Sequence, residues 1–528
     1  MNCGLKHFGI LLNQHNFKLS QIFFSMNLPN TLGALKLSGY QPKSIKDELR
    51  ANLIKKLRNK EKVFDGILGF DTTVLPDIER AILSRHNILL LGLRGQAKTR
   101  LARLLIHLLD EYTPIVEGSE LNDDPMQPLS RFAIDLIKEK GDATPIAWLH
   151  KSERYVEKLA TPDVNVADLI GDVDPIKAAA MRLPYSDERV IHFGLVPRSH
   201  RCIFVINELP DLQARIQVSL FNILQEGDIQ IRGFKLRMPL DIQFLFTANP
   251  EDYTNRGSII TPLKDRIESQ ILTHYPVSIE IAQQITEQEA RLAPAQRAQV
   301  SVSEVLKVVL EQISFEARES ELIDEKSGVS ARLSISGYEN LVSTAERRML
   351  INGEPKTAAR IMDFWGVVPA ITGKVELVYE GEQEGPYMVA MSLTNAAIRE
   401  VFLDYFPNPE KLKKGQQKDP YGTIKAWFSD GNTIEILNDS SDNTYRKELD
   451  KVVGLGKLID SLDTIEEADR YVFMELALHG LAEFQIVGKE FVESKFTFGD
   501  LLANLMEDDD DDDDESDDTD FKNLFDRN

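Results

Sequence analysis

The chain has 528 residues, 42% of them hydrophobic, and a net charge of −23. That length exceeds a single core, and the apolar content is enough for two to four domains. Two cysteines, Cys3 and Cys202, exclude a disulfide framework and a Cys-rich zinc site. No apolar run approaches the roughly 20 residues of a membrane span, so a cytoplasmic location without membrane contact is expected.

Residues 1–45 read as an N-terminal extension. Met1–Ser25 has scattered apolar residues broken by His, Gln, Asn and Lys, without an apolar core and small-residue cleavage site. Met26 opens a more ordinary start, which suggests that 1–25 is a mis-assigned beginning. Ser44–Lys62 reads as a charged helical approach. From Val74 to about Pro276, helical patterns alternate with short β-rich runs at Asn87–Leu91, Thr113–Val116, Cys202–Ile206 and Ile242–Thr247. That alternation predicts a mainly parallel sheet covered by helices.

Within this stretch, Gly92-Leu93-Arg94-Gly95-Gln96-Ala97-Lys98-Thr99 fits the phosphate-cradling pattern G-x-x-x-x-G-K-[ST] at every fixed position but one, Ala97 standing for the second glycine. An apolar strand precedes it. Leu101, Leu104, Leu105, Leu108 and Leu109 mark one face of a helix after it. Backbone N–H groups at a helix start attract phosphate oxygens. Lys98 would neutralise the β- and γ-phosphates of ATP, and the Thr99 hydroxyl would ligate Mg²⁺. The Ala97 methyl group crowds a loop that backbone and phosphate must share, and it disfavours positive φ.

Four features downstream match the needs of nucleotide hydrolysis. Arg201–Ile206 is an apolar strand ending at Asn207-Glu208, where Glu208 would orient and deprotonate water. Asn207 would support the metal, a neutral amide doing so more weakly than a carboxylate. Ile242–Thr247 ends at Ala248-Asn249-Pro250, where Asn249 could bond the γ-phosphate or the water. Thr261–Arg266 is a short helix offering Arg266 as a transition-state cation, with Arg256 its rival. Ser327–Arg332 is a helix start that Ser330 caps or nearly caps, with Arg332 aimed at phosphate.

Taken together these motifs resemble the AAA+ ATPases, and within them the branch of magnesium chelatase subunit I and MoxR-like proteins. Thr161–Gly171 is similar to that branch's helix-2 insertion, and His192–Arg198 precedes the acidic strand as it does there. Asn222–Asp228 leads into an alternating Ile229–Met238 stretch that resembles the pre-sensor-1 hairpin. The resemblance covers about residues 46–370. It implies an α/β fold, a P-loop AAA+ αβα core with a parallel sheet over 46–276 and an all-α lid over 277–374; beyond it, 375–505 reads from its own pattern as a mostly helical C-terminal region. The resemblance further implies a hexameric ring with ATP and Mg²⁺ between subunits, a finger arginine acting on the neighbour's nucleotide, and a remodelling or chaperone role beside a von Willebrand factor A-domain adaptor.

In 375–505, Thr423–Leu437 reads as a strand pair turning at Asp430-Gly431-Asn432, followed by helices through Leu502. The tail 506–528 holds twelve acids and no base over Glu507–Asp520, just over half of the net charge, so it is expected to be disordered. It would either solubilise the chain or offer a carboxylate to the adaptor's metal, with Phe521–Phe525 as a short anchor. Overall acidity disfavours nucleic acid, although Arg232, Lys235 and Arg237 on the hairpin point the other way. A nucleotide-switched scaffold with little hydrolysis is the alternative, given Ala97 and Asn207. Gly92 and Gly95 do not form the dinucleotide pattern G-x-G-x-x-G, and porphyrin metalation does not follow from the resemblance.

Overall fold

A computed structural model describes residues 28–184, 187–231, 237–249, 258–412, 419–462, 465–492 and 495–501. The expected early extension Met1–Ser25, the rival Arg256, the hairpin cations Arg232 and Lys235, and the acidic tail with Phe521–Phe525 lie outside them. Two compact units partition the chain: Met1–Gly92 with Ala97–His274, and Leu93–Gln96 with Tyr275–Asn528.

The first unit is a five-stranded parallel sheet between helices. Its strands are β1 (Ile88–Leu91), β2 (Tyr155–Leu159), β3 (Cys202–Asn207), β4 (Ile242–Ala248) and β5 (Ser269–Leu272), in the order β5-β1-β4-β3-β2. β1, β3 and β4 are buried along their whole length, the continuous apolar signature of a sheet covered on both faces. Alternation sorts their side chains. Ile88, Leu90, Ile203, Val205 and Leu245 face helices α1 (Ile45–Arg58), α2 (Val74–Leu83) and α3 (Lys98–Leu104). Leu89, Leu91, Phe204, Ile206, Phe244 and Phe246 face the opposite core. Burying each such side chain stabilises the fold by roughly 1.5–3 kcal/mol. Ser44, predicted to open the approach helix, caps α1 by accepting from the Asp47 amide at 3.1 Å.

Three predicted strands hold, and one is re-placed. Tyr112–Val116 is a strand, but it pairs antiparallel with Ile146–His150 in a separate two-stranded sheet. β2 and β5, which complete the central sheet, are short edge strands of mixed polarity. The predicted hairpin is present as Asp228–Gln230 against Arg237–Pro239. In the resemblance's helix-2 insertion, Asn165 and Asp168 cap a short helix reciprocally, and Gly171–Val173 pairs with Ile191–Phe193.

The second unit is mostly helical and has one continuous core running from Val300 to Phe498. Helices α4 (Glu304–Glu319), α5 (Arg332–Ile351), α6 (Pro386–Tyr405) and α7 (Arg470–Glu483) supply most of it. α6 and α7 meet closely at Gly480, where a Cβ would stand 2.2 Å from the Phe402 ring. The expected strand pair at Thr423–Leu437 is instead a helix, Gly422–Ser429, followed by strand β6 (Ile434–Leu437). β6 pairs with β8 (Lys495–Gly499), which also pairs with β7 (Gly488–Val492), so the helices expected through Leu502 give way to a hairpin. Among the described residues, no helix is long and apolar enough to cross a membrane.

Candidate nucleotide site

The carboxyl ends of β1, β3 and β4 lie side by side in register, Leu91 opposite Ala248 and Ile206 opposite Phe246. In open α/β sheets this is the edge at which ligands bind. Asn207 closes β3, Glu208 and Asn249 follow directly on β3 and β4, and Lys98 and Thr99 come after the Gly92–Ala97 loop that leaves β1.

Lys98 opens α3. Its Nζ donates to the Gly92 carbonyl oxygen and, at 2.6 Å, to Asn249 Oδ1. The lysine is therefore held over the loop, against the residue that ends β4. Ala97 has φ 55° and ψ 13°, so it adopts the left-handed conformation its methyl group was expected to resist. For an L-residue this costs about 1–2 kcal/mol. Thr99 follows in the first turn of α3.

Asn207 is the last residue of β3, and Glu208 after it is also left-handed, at φ 55° and ψ 50°. Hydrogen bonds fix this turn. The Glu208 amide donates to Thr247 Oγ1 at 3.2 Å, and that hydroxyl donates to Asn207 Oδ1 at 3.0 Å. The other side of the Asn207 amide donates from Nδ2 to Glu157 Oε1 at 2.6 Å. Glu157, on β2, is gripped by Arg103 Nε and Nη2 at 3.0 and 3.2 Å and receives the Tyr155 hydroxyl at 3.2 Å. Burial, with the Glu157 charge next to it, raises the Tyr155 phenol well above its ordinary value and keeps it a donor.

Arg266 follows the short helix Thr261–Lys264. It donates to Gln225 Oε1 from Nε and Nη2 at 3.0 and 2.8 Å, and to the Pro262 carbonyl at 2.7 Å. Its guanidinium lies 5.0 Å over the Phe221 ring.

The middle of the loop, Leu93–Gln96, packs within the second unit. Arg94 pairs with Glu376 at 2.7 Å and donates to the Ser327 carbonyl at 3.3 Å and to its hydroxyl. Its own carbonyl receives the Tyr275 hydroxyl at 2.9 Å. Gly95 has φ +75°, and a Cβ there would stand 2.1 Å from Ser330 Oγ, so position 95 needs glycine for both conformation and space. Arg332 is the first residue of α5 and is exposed. Ser330 Oγ accepts its amide at 3.2 Å, the near-cap expected.

Sequence reasoning therefore placed Lys98, Asn207, Glu208 and Asn249 in one neighbourhood, and it missed Glu157, Thr247 and Arg103. Thr247 was legible as a strand-end hydroxyl. Glu157 was not, because only the register of β2 on β3, with Leu159 opposite Asn207, brings it beside Asn207. Oxygen donors at Thr99, Asn207 and Glu157 are chemically suited to a hard cation such as Mg²⁺. Among the described residues, no group of three or more His, Cys, Asp or Glu residues could hold a metal ion.

The central parallel sheet lies between helices, and the motifs follow one another in the order expected along the chain. No family model matches the chain. Among solved structures, the chain is similar to NtrX from Brucella abortus at 14% identity, covering 66% of each chain with a TM-score of 0.35. It is similar to the complex between subunits BchI and BchD of magnesium chelatase at 18% identity, over 61% of this chain and 98% of that one, with a TM-score of 0.31. A protein described as a candidate ATPase, from Cytophaga hutchinsonii, matches at 17% identity over 66% of this chain and 95% of its own, with a TM-score of 0.25.

Proposed function

We propose that this chain is an ATP-hydrolysing AAA+ remodelling motor of the magnesium chelatase subunit I and MoxR type. The observation that carries the reading is the juxtaposition at the strand ends: Lys98 on Asn249, and Glu208 held in a left-handed turn by Thr247. A cation for the phosphates, an amide for the γ-phosphate and a carboxylate for water are the parts hydrolysis requires.

In this reading Lys98 exchanges the Gly92 carbonyl for phosphate oxygens, and Gly92–Thr99 supplies amides to them. Asn249 keeps its contact with Lys98 and bonds the γ-phosphate or the attacking water. Glu208 takes the proton of that water. Thr99 and Asn207 would hold Mg²⁺, which when bound neutralises phosphate charge. Arg266, stacked on Phe221 and tied to Gln225, would serve a neighbouring subunit's nucleotide in a hexameric ring, and Arg332 would add a second cation. A von Willebrand factor A-domain adaptor and a protein target belong to the same proposal. So does the five-part division at residues 45, 276, 374 and 505.

Glu208→Gln tests it. Phosphate release should fall by about 100-fold or more while ATP binding persists, a general base contributing about 10²–10⁴. Turnover that survives the substitution removes Glu208 from the mechanism. The scaffold reading draws on a specific observation, the neutral Asn207 already engaged on both sides of its amide. Tight ATP binding with no Glu208-dependent phosphate release would favour it.

A further inference from the structure

We propose that Glu157 is a positioning residue for the nucleotide site, acting through Asn207 and Thr247 on Glu208 and on metal support; this rests on the functional reading above.

The physical basis is direction. A carboxylate ion only accepts hydrogen bonds, so Glu157 Oε1, 2.6 Å away, determines which side of the Asn207 amide carries nitrogen. With Nδ2 committed to Glu157, Oδ1 must face Thr247. The Thr247 hydroxyl then spends its one proton on Oδ1 at 3.0 Å, which leaves its lone pairs to accept the Glu208 amide at 3.2 Å. The chain Glu157–Asn207–Thr247–Glu208 thus has a single polarity, set at its Glu157 end. At its far end it stabilises a non-glycine residue with φ 55°, a conformation that persists only when its surroundings impose it. Arg103 anchors the near end with two N–H donors, and it stands one turn along α3 from Thr99. The P-loop helix is therefore linked through the side chains of Arg103, Glu157, Asn207 and Thr247 to the backbone amide of Glu208.

The same geometry accounts for the amide at position 207. Two carboxylates 2.6 Å apart would repel, and one would have to take up a proton. With Glu157 on β2, an amide at 207 is the side chain that keeps both groups in place, and its free Oδ1 lone pair is what remains for a metal-bound water.

The test uses the full chain with Glu157→Ala, Asn207→Asp and the double substitution Glu157→Gln/Asn207→Asp. The double variant exchanges donor and acceptor between 157 and 207 and preserves the polarity toward Thr247. Binding of a fluorescent ATP analogue is measured against Mg²⁺ concentration, beside phosphate release and the thermal midpoint. For Glu157→Ala we expect the Mg²⁺ concentration at half-saturation to rise, or turnover to fall, by about 10-fold or more, the usual range for groups that orient a metal site. Metal-free nucleotide affinity should stay within about twofold. Asn207→Asp alone should be as poor, and the double variant should return to within about threefold of the unsubstituted chain. Glu157→Ala within twofold of the unsubstituted chain in both readouts overturns the proposal. So does a loss that follows the thermal midpoint and is not rescued by the double variant. If the unsubstituted chain binds no ATP analogue at all, the functional reading fails as well; if it binds and only these variants are silent, this inference alone fails.

Discussion

Two polar networks, one in each unit, use the same residue types in opposite settings. The relay at the strand ends of the first unit is open at one end: Arg103 is 62% exposed and Glu157 22%, while Asn207 and Thr247 are buried, and the neighbouring Ala97 and Glu208 sit at positive φ. The cluster in the second unit is sealed. Arg348 and Asp363 are each 1% exposed and pair at 2.8 Å. Arg360 donates its amide to Asp363 at 2.8 Å and lies 4.1 Å over Tyr445, and Glu475 accepts the amides of Ile361 and Met362. None of these residues has strained backbone. Burial raises the Asp363 carboxyl despite both arginines and drives His479 well below its ordinary value between Phe496 and Phe498. Titratable groups and short contacts alone therefore do not mark a site. Exposure at one end, strand-end placement and imposed strain separate the relay from the cluster, whose charged groups lie inside the second unit's core.

The largest expected effect would break that comparison if it came out wrong. Asp363→Ala leaves Arg348 buried without its carboxylate, which should cost about 3–5 kcal/mol. For a unit of this size that lowers the thermal midpoint by roughly 10 °C or more. Glu208→Gln, by contrast, should move the midpoint by less than about 2 °C, since glutamine keeps the size of the side chain and the backbone amide that donates to Thr247. Calorimetry on both variants decides the matter. A stable Asp363→Ala chain, or a strongly destabilised Glu208→Gln chain, would mean the two networks have been assigned the wrong way round.

A smaller effect sharpens the comparison through pH. Burial raises Glu475 from 4.5 to about 7 against the opposing bonds from Tyr445 and Ile361. The folded state therefore holds this proton more tightly than the unfolded state does. Its contribution is fully present below pH 4.5 and is lost as pH rises through about 7. At about 1.4 kcal/mol per unit, the change is about 3 kcal/mol across that window. The stability difference between the unsubstituted chain and Glu475→Gln, followed from pH 4.5 to 8, should shrink by that amount. A flat difference would place Glu475 outside the sealed cluster.

The parts legible in the sequence were those where one physical cause dominates. Ile88–Leu91, Cys202–Ile206 and Phe244–Phe246 are apolar runs because a sheet covered on both faces demands it; Asn207, Glu208 and Asn249 lie at or just past the ends of two of them, and Lys98 follows the loop after the third. β2 was illegible: Tyr155-Val156-Glu157-Lys158-Leu159 lies at the sheet edge and carries charges that solvent and Arg103 accommodate. Tyr112–Val116 has strand chemistry, but nothing local tells a strand which sheet to join. Gly422–Ser429 is rich in β-formers yet helical, because Ile424 and Phe428, four apart, are both buried in the second unit's core. Tertiary burial overrides propensity there.

The smallest expected effect falls on Ala97, where loop chemistry and backbone strain meet. Glycine at 97 would relieve the left-handed alanine, a gain of about 1–2 kcal/mol. The unfolded chain would gain freedom worth about 0.4–1 kcal/mol in the opposite direction. The net stabilisation of Ala97→Gly should therefore lie between about 0 and 1.6 kcal/mol, and it should be accompanied by tighter ATP binding, because removing the methyl group lets backbone amides approach phosphate more closely. A gain of up to about fivefold in affinity corresponds to about 1 kcal/mol. Urea unfolding and an ATP titration measure the two quantities separately. Lower stability with unchanged affinity would mean that φ 55° at Ala97 costs the loop nothing. The contrast between the two networks would then rest on the strain at Glu208 and on the exposure of Arg103 and Glu157.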